Sequence, residues 1–200
     1  MGTNPSFLSV FHFVAQYFYL AKREYLIQTQ IAMPTANFKS FSISIPFLGL
    51  QGNWEVDDQQ RKAAWEIYVE LVTRVTVVEL KENEGIIREA LNSFYSLFNT
   101  TRDILKRYGP GIAVASQKSD MTLGHVAVGV LNKVLRPLLA RWHPILEAYE
   151  KQRPAHVSIA EHEHNWDQAG ALRAEIAKVR KELIEYADVL AKVSEVSKLH

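Results

Sequence analysis

Imidazoles and carboxylates crowd together in Glu161-His162-Glu163-His164, with Asp167 just downstream and His156 a little upstream. Side chains of those two types suit zinc, nickel or non-haem iron. The spacing is not that of HExxH, and the chain has no cysteine to supply a thiolate. On a helix, His162 and His164 point about 200° apart and cannot close on one ion, whereas in an extended loop they share a side. The plainer expectation is a polar loop whose acids precede the last helix and favour the positive end of its dipole. The candidate metal ligands are therefore Glu161, His162, His164 and Asp167, and no cofactor is expected.

Two more histidines, His125 and His143, share one face of a straight helix but stand about 27 Å apart along it, too far for one site. His143, in Trp142-His143-Pro144, reads as a packing or hydrogen-bonding residue. A basic stripe offers different chemistry. At about 100° per residue, Arg88, Tyr95, Asn99, Arg102 and Lys106 line one side of a helix. Lys133 and Arg136 join them if the next helix runs antiparallel beside it. Such a stripe can bind phosphate oxygens, with Tyr95 available to stack on a base, although most basic stripes are simply solvated faces. No glycine-rich phosphate loop follows a strand, no serine sits in a nucleophile-elbow context, and Glu161-x-x-His164 is a single copy of the repeat that di-iron bundles need twice. Nothing here names an enzyme.

Length and composition bound the rest. Two hundred residues fit one domain, and a formal net charge of +1 argues against a chain-wide nucleic-acid or membrane footprint. The absence of cysteine excludes disulfides and thiol nucleophiles in this chain, and with no signal peptide recognised it points to the cytoplasm. No segment reads as a transmembrane span; the nearest, Phe7 to Ala21, is short and carries His12 and Gln16.

These candidates must be positioned by helices. Residues 1–33 form a candidate aromatic N-terminal arm, in which Phe7, Phe11, Phe13, Tyr17, Phe18, Tyr19 and Tyr25 surround most of a helix axis. Phe41, Ile43, Ile45 and Phe47 then alternate with serines and Pro46, giving an extended connector over residues 38–50 that either lies over the bundle or pairs with a segment elsewhere. A helix starts at Asp57 or Asp58 and runs to about Glu79, and another is capped by Asn83 and stopped by Gly109-Pro110. Residues 111–120 read as a flexible connection. The widest apolar face belongs to Met121 to Glu150, capped by Thr122 and interrupted by Pro137 and Pro144, where a bend or break is expected. Over residues 166–198 a heptad-patterned helix carries Leu172, Ile176, Val179, Leu183, Tyr186, Leu190 and Val193 at alternating four- and three-residue steps.

The sequence thus predicts an all-α protein, a bundle of about five helices with one extended connector. The leading functional expectation is a non-catalytic scaffold or adaptor working by protein–protein contact and self-associating through Phe11, Phe18, Leu183 and Leu190, with coiled-coil character in the last helix. Second comes a nucleic-acid or anion binder using Arg88, Tyr95, Arg102, Lys106, Lys133 and Arg136. Third comes a metal-dependent enzyme using the Glu161–Asp167 cluster.

Overall fold

A computed structural model describes residues 39–74, 85–117 and 119–199. The candidate aromatic arm with Phe11 and Phe18, the cap at Asn83 and the β-branched stretch Val75 to Leu80 all lie outside the described residues. The protein is mostly helical, but not all-α. The connector is half of an antiparallel hairpin, β1 (Lys39–Ile45) and β2 (Leu50–Val56), with Phe41 opposite Trp54, Ile43 opposite Gly52 and Ile45 opposite Leu50. Its partner is thus the segment immediately after it. A turn at Pro46–Leu48 reverses the chain, closed by Gly49, whose φ of 69° suits a residue without Cβ and whose N–H donates to the Pro46 carbonyl. Because opposite residues share a face, Ile43, Ile45, Trp54 and Val56 are buried together. The serines face the other way, where Ser42 bonds Asn53.

Five helices follow among the described residues. The first, α1 (Asp58–Val72), is capped by Asp57, whose carboxylate accepts from the Gln60 N–H at 2.7 Å. It ends at Val72, seven residues short of the end read from the apolar pattern. The valines beyond it suit strands as well as helices, so periodicity alone sets no boundary there. The second, α2 (Ile87–Tyr108), buries Ile87, Leu91, Phe94, Leu97 and Ile104 and stops at Gly109, as expected. The third, α3 (Leu123–Glu150), starts at the Thr122 cap and buries the wide face read from its sequence, with only Ile145 and Tyr149 half-buried. It stays helical through both prolines, but widens to a π turn at Leu131–Leu135 just before Pro137. Pro144 is tolerated where the carbonyl it leaves unbonded belongs to exposed Ala140. By length and composition α3 could cross a membrane, and 56% of its apolar window is buried in the protein.

The loop expected around the Glu/His cluster contains a short helix, α4 (Ile159–His164), capped by Ser158. The last helix, α5 (Ala169–Ser194), packs along α1 with every seam residue from Leu172 to Val193 buried. The seam expected to join chains is therefore closed inside one chain. Leu183 and Leu190 are both 0% exposed, so neither can present an interaction surface.

Buried Gln60 ties three of these parts together. Its side-chain carbonyl accepts from the Trp54 indole at 2.9 Å and from the Leu123 N–H at 3.0 Å, joining hairpin, α1 and the start of α3. The connection before α3 is held rather than free. Asp120 donates its N–H to the Asn53 carbonyl, and Ser119 accepts from the Glu55 N–H.

Candidate functional site

Two places concentrate the candidate chemistry: a charged cluster where α2, α3 and α4 meet, and an open groove between α3 and the hairpin turn.

The cluster begins with a capping problem. Residue Ile86, at the N-terminus of α2, has no side chain able to accept a hydrogen bond, which leaves the first amides of the helix in need of an acceptor. Glu163 supplies it from 76 residues away. Its carboxylate accepts from the Ile87 N–H at 2.7 Å and the Arg88 N–H at 3.1 Å, and its side chain is buried. Helix α4 is thus docked by a negative charge on the positive end of another helix. Next to it, Arg88 makes a two-pronged pair with Glu150 at 2.8 and 2.6 Å and donates to His143 Nδ1 at 2.9 Å. Since a guanidinium only donates, Nδ1 must be unprotonated and the imidazole proton sits on Nε2. Burial, and then the Arg88 charge, push the pKa of His143 below its ordinary value, against the opposing pull of Glu147 and Glu150. Tyr95 meets the His143 ring edge-on with centroids 5.8 Å apart.

This geometry reassigns the cluster read as metal ligands. His162 stacks flat on Tyr149 at 4.0 Å and its Nε2 lies 3.0 Å from the Tyr149 carbonyl, while Tyr149 donates back to the His162 carbonyl. Glu161, His164 and Asp167 are exposed. Because the run is helical, its side chains radiate, and among the described residues no three His, Asp or Glu side chains converge as an ion would need. His125 and His143 stand at separate sites, as their spacing predicts; His125 is exposed beside the groove.

The basic stripe divides in two. Arg88 is committed to Glu150 and Tyr95 to the His143 ring. Further along, Arg102 and Arg136 approach one ring, Phe98, with guanidinium carbons 6.0 and 5.4 Å from its centroid. Contacts between residues 88 and 150, 95 and 143, and 98 and 136 show that α2 and α3 run antiparallel, the condition set for Lys133 and Arg136 to join the stripe. Arg136 donates to Asn132 and Lys133 to the Leu48 carbonyl at 3.2 Å. Lys106 pairs with Asp103. Among the described residues, Arg102, Lys133 and Arg136 have no carboxylate partner.

The groove beside these cations escaped sequence reasoning. It encloses about 470 Å³ between Leu48 and Leu50 of the hairpin, Ala113 and Ala115 of the connection, and Gly124, Val128 and Gly129 of α3. Val128 is 46% exposed, and Val114, between two lining alanines, is 66% exposed. Its walls come close through glycine. A Cβ on Gly124 would lie 2.7 Å from that of Ala113, and one on Gly129 would lie 3.3 Å from Leu48. Only one sequence signal pointed here: Val128 falls outside the periodic apolar positions of α3. Glu163 had no signal of its own, since its partner amides are remote in sequence.

No family model, curated protein or solved structure matches the chain.

Proposed function

We propose that this protein is a non-catalytic helical scaffold or adaptor that works by contact with another protein. What carries the reading is the groove between α3 and the hairpin turn, an apolar concavity in which Val128 is left 46% exposed. Leu48 belongs to the protein's own core and Leu50 packs against it, but Val128 is left largely in solvent at the concavity, where an apolar side chain of a partner could cover it. The heptad seam, closed within the chain, gives no support to self-association. The contact therefore rests on the groove.

A photo-crosslinking amino acid at Val128, in the full chain expressed in its native cells, tests this reading. The expected result is a discrete protein adduct from position 128 and none from the exposed control position Lys151. Equal labelling from both positions, or none from either, refutes it.

A further inference from the structure

We infer that the occupant of the groove is a short acidic amphipathic helix of a partner protein, an inference that rests on the contact reading above. Three features of the site select it.

The first is charge. Lys133 lines the groove, Arg136 follows it on the same helix, and Arg102 and Arg136 both approach the Phe98 ring. These three cations lack carboxylate partners among the described residues, and the one acid lining the groove is Asp120. A basic partner would leave them uncompensated, whereas an acidic one completes them.

The second is backbone. A strand-like peptide needs free main-chain groups to pair with, but on the α3 side the wall beyond the first turn is helix bonded to itself, and within that turn the Leu123 N–H donates to Gln60 and the His125 N–H to Thr122. On the opposite wall, the Leu48 carbonyl already accepts from Lys133. Those two walls offer a strand little to pair with, whereas a helix satisfies its own backbone. From Gly124 to Lys133 the wall runs for about 13 Å, long enough for anchors at i, i+4 and i+7 of an incoming helix.

The third is shape. A lipid surface takes up apolar residues that project, whereas a concave site accepts a side chain pushed into it. Nucleic acid has no apolar side chain to offer, and the walls are aliphatic rather than aromatic platforms.

The test is a selection followed by a binding measurement. A display library of 16-residue helices with random surface positions is selected on the full chain and counter-selected on Val128→Asp. The enriched helices are expected to carry apolar residues at i, i+4 and i+7 flanked by Asp and Glu. A selected peptide should lose affinity about tenfold or more on the Lys133→Glu, Arg136→Glu double variant, and should bind less tightly as salt rises, as charge-steered contacts do. Enriched helices without an acidic excess, or no enrichment, overturn the inference while leaving the Val128 crosslink to judge the contact reading alone. Vesicles containing phosphatidylserine serve as a competing probe. Sedimentation with them that depends on Val128 would replace the peptide with a membrane and overturn the inference as well.

Discussion

Replacing Glu163 by alanine removes the cap of α2 without touching that helix. The carboxylate accepts two backbone hydrogen bonds, at 2.7 and 3.1 Å, and is 3% exposed, so water cannot readily take its place. A hydrogen bond to a charged group contributes about 1.5–3 kcal/mol. An anion at a partly buried helix N-terminus contributes up to about 2 kcal/mol, through much the same contacts. Counting the overlap once, Glu163→Ala should lower unfolding free energy by about 3–4 kcal/mol, a large part of the 5–15 kcal/mol typical of a domain. Glu163→Gln keeps one acceptor oxygen but turns an amide NH2 towards a backbone N–H, and should fall between Glu163→Ala and the unmodified protein. Exposed Glu161→Ala, two residues away, should change stability by less than about 0.5 kcal/mol. Urea unfolding followed by circular dichroism reads all three, with the slope unchanged if only stability moves. The near-ultraviolet signal adds a local readout, because α4 carries His162, stacked on Tyr149, and leads directly into Trp166, stacked on the same ring. A loss below about 1 kcal/mol for Glu163→Ala would refute the capping argument, since among the described residues no other side-chain acceptor is bonded to those amides.

Leu183→Ala should cost about 2–5 kcal/mol by opening a cavity in the seam between α5 and α1, with the mass from light scattering unchanged; a fall in mass would place that seam between chains after all. Because the His143 pKa is lowered in the folded state, the imidazole stays neutral there while the unfolded chain takes up a proton near its ordinary value of 6.5. That contribution to stability is present above pH 6.5 and is lost as pH falls through the lowered folded value, so urea midpoints at pH 7.5 and 5.5 should differ less in His143→Gln than in the unmodified protein. The Tyr186 hydroxyl is buried and has no hydrogen-bond partner among the described residues, so Tyr186→Phe should raise the unfolding free energy by about 1 kcal/mol; a loss of that size would mean the hydroxyl is satisfied. Gly124→Ala forces a Cβ to within 2.7 Å of Ala113. It should lower the urea midpoint, since overpacking costs about 1–3 kcal/mol and the helix-propensity gain returns only about 1.

What the sequence determined about this protein is local and periodic. The seam of α5, the wide face of α3, the caps at Asp57 and Thr122 and the stop at Gly109 each depend on residues within a turn or two of one another, so spacing suffices to read them. The alternation over Phe41 to Phe47 announced an extended segment in the same way. Its partner was not legible, because pairing with Leu50–Val56 depends on the turn that Gly49 closes and on the space that Gly52 leaves for Asp120. The candidate sites, by contrast, are relations that arise only in the tertiary structure. Leu183 and Leu190 present the same pattern whether their cover comes from α1 or from a second chain, and only the fold shows that α1 supplies it. Glu163 looked like one acid in a ligand cluster until α4 turned it onto amides 75 and 76 residues away. The groove is assembled from three segments, none of them unusual alone, because a concavity is a relation between surfaces and has no period in the chain.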